Sequence, residues 1–355
     1  MGASLSNLTE STGDGGPGLG DIPEGCVARV FIHLTPPEIC NLARLNRAFR
    51  GAASADPVWE AKLPSNYRHL LALALPQHPR PLSTSESDDG GVDEEASVFC
   101  DRTAGRWQHR LERQRQQHQP CSDHPSLLRK KDIFALLSRP IPLDQGTKEV
   151  WLNRVTGGVC MSISAKAMAI TGIDDRRYWT WIPTEESRFH MVAYLQQMWW
   201  FEVRGMIKFP FPVGVYILSY RLHLGRFSKR LGRRSCNYEH THGWDIKPVK
   251  FELSTSDGQQ ISYEVCLDDP AKNDSSGNSR CGKWIEYQVG EFVVSSSDTD
   301  MEVSFSMKQI DCTHSKGGIC VDCVCIVPGN IQRNWERDQD DTLTEVIGHS
   351  CEVFL

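Results

Sequence analysis

An aromatic and acidic segment in the middle of the chain has the residue types of a sugar-binding site. Between residues 160 and 182, Tyr178, Trp179 and Trp181 follow the carboxylates Asp174 and Asp175. Aromatic faces stack on the C–H faces of sugars, and neighbouring carboxylates accept hydrogen bonds from sugar hydroxyls. If the segment is a strand, however, Trp179 and Trp181 share one face, and burial of that face in a core explains them more readily. The pattern leaves both interpretations open.

Cysteine and histidine residues towards the C-terminal end form a weaker candidate, a zinc site. Cys312, His314, Cys320, Cys323 and Cys325 follow one another closely in the sequence. Because residues 319–327 alternate as a strand, we expect Cys320 to lie on the opposite face from Cys323 and Cys325, and no second well-spaced pair exists. We therefore predict neither a metal site nor a cofactor.

No motif in the sequence marks an enzyme. We find no phosphate-binding loop of the G-x-x-x-x-G-K-[ST] type and no G-x-S-x-G nucleophile elbow. Aspartate and glutamate residues are numerous, but no spacing distinguishes a glycosidase pair. We therefore predict a non-catalytic protein, and a glycoside hydrolase is the least favoured alternative.

Three short helices are predicted between Asp21 and Leu63. Pro23 suits the first turn of a helix, and apolar residues follow it at helical spacing. Thr35 and Glu38 form a capping box that begins the second helix, and Asp56 begins the third. A unit of about forty residues buries too little surface to be stable as an independent domain. The apolar faces therefore predict docking onto a partner or, alternatively, packing against the rest of the same chain.

The pattern changes to period two from Lys148 onward, with turn residues between short apolar runs. Strands are predicted at residues 199–204, 216–224, 249–253, 261–265, 284–289, 303–307 and 319–327. Asp257-Gly258 is typical of a hairpin turn. Many short antiparallel strands over this length favour a β-sandwich or jelly-roll.

Composition and net charge bear on the partners and the cellular compartment of the protein. With 355 residues and a formal net charge of −6, the chain lacks the basic balance of a general nucleic-acid-binding protein. It has no apolar run long enough to span a membrane and no secretory signal, so we expect cytoplasm and nucleus, where its 13 cysteines remain thiols. Met1–Ser6 fits the N-myristoylation pattern at Gly2, but the pattern is short and a flexible Gly/Ser leader is the favoured explanation.

The N-terminal helical stretch resembles an F-box. The residues that carry this resemblance are Ile22, Pro23, Glu24, Val27, Val30, Leu34, Ile39, Cys40, Leu42, Leu45, Val58 and Trp59. The family implies docking onto the Skp adaptor of a cullin-RING (SCF-type) ubiquitin ligase complex. The expected adaptor contacts are Ile22, Pro23, Val27, Val30, Leu34, Ile39, Leu42 and Leu45.

The strand-rich part resembles the plant phloem-protein-two (Nictaba-like) lectin domain. The resemblance rests on residues 164–165, 169–171, 174, 178–179, 200–205, 284–286, 290–292 and 314–318. An F-box followed by this domain is similar to the plant A-type F-box–Nictaba subfamily. The resemblance implies a jelly-roll that binds N-acetylglucosamine oligomers or N-glycan cores through Trp179, with Glu286 and Glu291 as acidic contacts. The second tryptophan of the family's aromatic pair falls at Gly172.

Together these observations predict an α+β multi-domain protein, with a small all-α F-box and an all-β jelly-roll or β-sandwich lectin-like domain. The expected parts are a disordered leader (1–20), the F-box (21–65), a disordered linker (77–126), the lectin-like domain (127–330) and an uncertain tail (331–355). The expected function is the substrate-recognition subunit of an SCF-type ligase with a glycoprotein or other client. The alternative is a free nucleocytoplasmic lectin that acts in stress responses.

Overall fold

The computed structural model describes residues 22–75, 128–230, 233–237, 240–268, 283–296 and 300–329, and describes side chains for all of these except 227–237. The predicted leader, linker and tail, and Gly2, lie outside the described residues. All the helices and strands below belong to one compact unit within Met1–Ala74 and Lys130–Leu355. A second unit is Leu75–Arg129, of which only residues 75, 128 and 129 are described.

Six α-helices are described. They are α1 (Glu24–Phe31), α2 (Pro36–Leu42), α3 (Arg47–Ala52), α4 (Asp56–Glu60), α5 (Tyr67–Ala74) and α6 (Lys130–Leu137). The three helices predicted between 21 and 63 correspond to α1, α2 and α4. At the start of α2, the backbone N–H and the hydroxyl of Thr35 both donate to Glu38 Oε2, each at 2.7 Å. Helix α3 was not predicted, and Asn46 caps it by accepting the Phe49 N–H at 2.8 Å.

Fifteen β-strands follow along the described chain. They are β1 (Ile141–Leu143), β2 (Lys148–Leu152), β3 (Val159–Ser164), β4 (Ala169–Ile170), β5 (Trp179–Pro183), β6 (Met191–Leu195), β7 (Phe201–Phe209), β8 (Gly214–Leu224), β9 (Arg226–Arg230), β10 (Arg233–Asn237), β11 (Val249–Thr255), β12 (Gln260–Val265), β13 (Trp284–Val294), β14 (Met301–Gln309) and β15 (Ile319–Pro328).

The strands form two large antiparallel sheets and a small hairpin, β9–β10. In the eight-stranded sheet, β15 pairs with β8 along one edge, and β8 pairs with β13. Along its other edge, the first part of β15 pairs with β6, which continues to β5, and the later part pairs with β3, which continues to β2 and β1. The five-stranded sheet has the order β12-β11-β14-β7-β4.

Aromatic side chains fill the space between the two large sheets. Tyr220 of the eight-stranded sheet lies with its ring centroid 5.7 Å from Phe251 and 5.9 Å from Phe305, both in the five-stranded sheet. All three side chains are buried. Side chains that follow the predicted period-two pattern therefore point in turn into this core and towards the outer faces of the sheets.

Several helices pack directly on the rest of the chain. The buried Trp59 ring of α4 lies 5.2 Å from the Phe134 ring of α6. Asn66 Nδ2, just before α5, donates to the carbonyl oxygen of Pro210 at 2.7 Å, and the His69 ring lies 5.9 Å from the ring of Phe209. The helical unit is thus held against the β-rich part on its α4–α5 side. Within the described ranges, no helix is both long and apolar enough to cross a membrane.

The prediction that Cys320 lies on the opposite face of β15 from Cys323 and Cys325 is wrong. A β-bulge between Val321 and Cys323 shifts the register against β8, so that Cys320, Cys323 and Cys325 lie opposite His223, Arg221 and Ser219. Ser219, Arg221 and His223 are two residues apart along β8, so their side chains lie on the same face of the sheet. Directly paired residues of neighbouring strands also share a face. All three cysteines therefore lie on one face. Even so, among the residues that the structure describes, no three His, Cys, Asp or Glu side chains are placed to hold a metal ion.

Candidate functional site

An apolar surface lies on the N-terminal helices. Ile22, Pro23, Val30 and Leu45, four of the eight expected adaptor contacts, are exposed, and the exposed fraction of Val30 is 59%. They come from the start and end of α1 and the turn after α2. We call these four residues the α1–α2 apolar face. Exposed apolar side chains that cluster on one small unit are typical of an interaction surface.

The other four expected contacts are less accessible. Val27 and Ile39 are buried, and Leu34 and Leu42 are half-buried. Val27 lies on the side of α1 that also carries Phe31, whose ring packs edge-on against Phe49 at 5.8 Å. Val27 and Ile39 therefore stabilise the helical unit itself and do not lie on its surface.

Trp179 lies in the core, contrary to the sugar-binding role expected for it. Its side chain is 2% exposed, and its ring stacks on Phe201 with the centroids 6.3 Å apart. The indole Nε1–H donates to the carbonyl oxygen of Thr171 at 2.9 Å. A ring that is covered on its face and bonded through its N–H cannot stack on a ligand, so the core interpretation of this residue holds.

Gly172, where the family has a second tryptophan, adopts a left-handed backbone conformation with φ +73°. A Cβ atom there would lie 3.3 Å from Cδ2 of Tyr178 and 3.6 Å from Cε of Met198. The ring of Tyr178 therefore occupies the space beside Gly172. A larger residue at this position would have to displace Tyr178.

The two glutamates that the resemblance assigns to sugar binding lie apart from Trp179. Glu286 and Glu291 are exposed on the outer face of β13, and β13 is separated from β5 by three strands, β8, β15 and β6. Trp179 faces the opposite way, because its ring is buried in the core against Phe201. The structure does not bring these three residues together in one site.

Glu286 lies beside a buried ion pair. Asp322 is fully buried and forms a salt bridge with Arg221, and Ser187 Oγ donates to Asp322 Oδ1 at 2.6 Å. The guanidinium of Arg221 also lies 4.4 Å from the Trp284 ring centroid. The side chain of Glu286 is exposed at the surface, but partial desolvation by its surroundings raises its pKa. The positive charge of Arg221 acts to lower this pKa, and the negative charge of Asp322 raises it further. The network is fully engaged within the protein, so we assign it a structural role.

Three exposed aromatic side chains lie at one end of the two sheets. Among the Phe, Trp and Tyr residues whose burial the structure describes, only Tyr178, Trp199 and Trp200 are exposed, at 37%, 52% and 46%. Sequence reasoning placed the two tryptophans in a strand and missed their exposure. Their adjacency was the available signal, because neighbouring residues of a strand point to opposite faces and only one of them can face a one-sided core.

Four loops meet at this end, and we call residues 171–178, 196–200, 240–248 and 309–317 the loop cluster. Gln196 N–H donates to the Tyr178 carbonyl at 2.7 Å, and Met198 and Lys316 form a backbone bridge. His242 bridges to Gly317, and His314 Nε2 lies 3.0 Å from the carbonyl oxygen of Gly243. Hydrogen bonds thus join the four loops.

Lys316 is the buried centre of the loop cluster. Its ammonium donates to the carbonyl oxygens of Trp199, Gln309 and Asp311 at 2.8, 3.0 and 3.2 Å. Burial lowers the pKa of Lys316, while the negative charge of Asp311 acts in the opposite direction. One side chain therefore connects the loop that carries Trp199 to the end of β14.

A polar groove of about 910 Å³ lies on the outer face of the five-stranded sheet. Glu252 on this face binds Lys250 Nζ at 2.7 Å and Lys308 Nζ at 2.6 Å, and Ser306 Oγ donates to it at 3.1 Å. Hydrogen bonds from Lys250 first, then Lys308, lower the pKa of Glu252 to about 2. Serine side chains and Met206 line much of the remainder.

Comparison with known proteins agrees with this architecture of a small helical unit and a β-rich domain. The family described as Phloem protein 2 matches residues 158–328. The Arabidopsis thaliana F-box protein PP2-A15 is 58% identical over 330 residues, covering 92% of this chain and 95% of the relative. F-box protein PP2-A13 of the same plant is 47% identical over 308 residues, covering 87% of each chain.

The names of these relatives join the F-box to phloem protein 2, the family that matches the β-rich part of this chain. The chain belongs to the A-type phloem-protein-two (PP2-A) F-box proteins.

Proposed function

We propose that this protein is the non-catalytic substrate-recognition subunit of an SCF-type (cullin-RING) ubiquitin ligase. Its α1–α2 apolar face docks on the Skp adaptor, and its lectin-like domain holds a client. The single observation that carries the proposal is the exposure of Ile22, Pro23, Val30 and Leu45 on the unit that resembles an F-box. The α4–α5 side of the same unit is already covered by the rest of the chain.

The mechanism that follows is proximity. Contacts such as Asn66 to Pro210 and His69 to Phe209 hold the helices against the β-rich part. A client bound to the β-rich part would therefore stay at a restricted distance from the adaptor. The ligase's ubiquitin-conjugating enzyme then meets client lysines at a raised effective concentration, and no catalytic group of this chain is needed.

The proposed client is a glycoprotein that displays N-acetylglucosamine-containing glycans. The support is membership of a lectin-like family and the exposed rings of the loop cluster. The jelly-roll arrangement that we propose for the domain is supported by two antiparallel sheets with an aromatic core between them. The alternative is a free nucleocytoplasmic lectin whose helical unit serves only self-association. The proposed compartments are cytoplasm and nucleus.

The test is calorimetric titration of the purified full chain with the Skp adaptor. Val30→Asp should weaken adaptor binding about tenfold or more, because a carboxylate enters an apolar interface. The matched control is Val293→Asp. Val293 is 45% exposed on β13 and is not one of the four residues of the α1–α2 apolar face.

Both variants should fold as the wild type does, since each change is made at an exposed position. Circular dichroism checks this before the titration. Equal affinity for Val30→Asp and Val293→Asp would contradict the proposed docking face. Absence of adaptor binding by the folded wild type would favour the free lectin.

A further inference from the structure

We propose that the carbohydrate-binding surface of this protein is the loop cluster, with the rings of Tyr178, Trp199 and Trp200 as the stacking platform in place of Trp179. The inference rests on the proposed function in one respect, that the client is a glycan. It differs from the expected site in its residues, because the loop cluster adjoins Trp179 but uses neither that ring nor Glu286 and Glu291.

The rings of Tyr178, Trp199 and Trp200 are exposed to solvent. Burying an aromatic ring is among the largest single contributions to a core, so a fold rarely leaves several exposed without a use. Here every exposed Phe, Trp or Tyr whose burial is described lies in the loop cluster or directly at its edge. Trp179, the first residue of β5, is buried, whereas Tyr178 in the turn just before it is exposed.

Hydrogen bonds also fix the backbone that carries the rings. The carbonyl of Trp199 accepts a hydrogen bond from the buried Lys316 at 2.8 Å, and the carbonyl of Tyr178 accepts one from Gln196 N–H at 2.7 Å. Just beyond the tryptophans, Thr171 N–H donates to the carbonyl of Glu202 at 3.1 Å. Backbone held in this way limits the entropy lost when a ligand binds, which is the advantage of a preorganised site.

The polar side chains beside the rings favour a sugar as the ligand. Asp175 and Arg177 form a salt bridge at 2.7 Å, and the guanidinium of Arg177 lies 5.6 Å from the Tyr178 ring centroid. Asp174 and Arg176 on the same loop are exposed. A pyranose presents apolar C–H faces and polar hydroxyls together, so it needs both rings and charged or amide partners.

The polar groove on the five-stranded sheet is the main competitor for this role. Its volume is about 910 Å³, but it has no exposed ring in its lining, whose exposed residues are Ala169, Arg204, Met206, Gln260 and Ser262. Its carboxylate, Glu252, already binds two lysines and a serine. The groove can offer hydrogen bonds to a hydroxyl, but it lacks a stacking face.

The test uses the purified full chain with tri-N-acetylchitotriose as the probe, followed by an array of N-glycans. Binding is measured by calorimetry, and adaptor affinity is measured on the same samples. Trp199→Ala and Trp200→Ala should each weaken glycan binding about tenfold or more, while adaptor affinity stays at the wild-type value. Met206→Ala is the matched control, because Met206 is similarly exposed at 55% but lines the competing groove.

Acrylamide quenching of tryptophan fluorescence supplies a second measurement that needs no variant. Saturating probe should protect the wild type from quenching, and the protected fraction should fall in the Trp200→Ala protein. Unchanged glycan affinity in both tryptophan variants, or loss only in Met206→Ala, would overturn the assignment. A folded wild type that binds the adaptor but no glycan would also overturn it, while leaving the adaptor-docking part of the proposed function intact.

Discussion

Replacing Lys316 by methionine should destabilise the protein strongly and loosen the loop cluster. Methionine keeps an unbranched apolar stem but has no donor, so the carbonyls of Trp199, Gln309 and Asp311 lose the ammonium that now binds them. An unsatisfied buried acceptor costs about 1–3 kcal/mol. Part of that loss is offset, because an ammonium no longer has to be buried. Summed over the three carbonyls and reduced by that offset, the expected net loss in the free energy of unfolding is about 3–5 kcal/mol.

The assay is urea unfolding of the full chain, combined with hydrogen exchange over residues 196–200 and 309–317. The matched control is Lys247→Met. Lys247 also pairs with Asp311, but its side chain is 47% exposed, so its removal should cost no more than about 1 kcal/mol. Exchange in the two segments should quicken in Lys316→Met alone. If both variants unfold at the same urea concentration and exchange equally slowly, the buried lysine does not hold the loops.

Two further predictions concern the core and the groove. Glu252→Gln should lower stability by about 1–2 kcal/mol at neutral pH, a value reduced for its partial exposure. Since the folded-state pKa of Glu252 is about 2 against an ordinary 4.5, its contribution is present above about pH 4.5 and is lost as the pH falls towards 2. Urea unfolding at several pH values should show the gap to wild type closing, and a gap independent of pH would contradict this. Phe134→Ala should cost about 3–5 kcal/mol, because the ring is buried against Trp59. Thermal unfolding measures this loss. The control is Leu128→Ala, which should change stability little because the Leu128 side chain is exposed. Equal melting temperatures of the two variants would contradict the packing of Phe134 against Trp59.

Local sequence predicted the elements whose causes are local. The bonds from Thr35 to Glu38 that begin α2 depend only on residues three apart. The hairpin between β11 and β12 turns at Asp257-Gly258, where Gly258 has the positive φ that glycine allows. Helix α3 was missed because its six residues carry too few apolar positions to show a period.

The bulge in β15 shows where a periodic pattern fails. Alternation assigns Cys320 and Cys323 to opposite faces, and it is correct up to Val321. One additional residue, Asp322, then reverses the alternation and is buried against Arg221. The sequence contains no local signal for that insertion, because a bulge depends on the strand opposite.

The sequence by itself determined the class of protein: apolar helical spacing at the N-terminus, period-two alternation beyond residue 148, and the resemblance that each part carries. Tertiary structure alone decided which members of each pattern face outward. Val27 and Val30 both follow the helical pattern, yet only Val30 is exposed, because α3 packs against the other side of α1. In the same way Trp179 is buried and Tyr178 is exposed. A pattern specifies which residues share a face, whereas the packing of distant elements decides which face is covered.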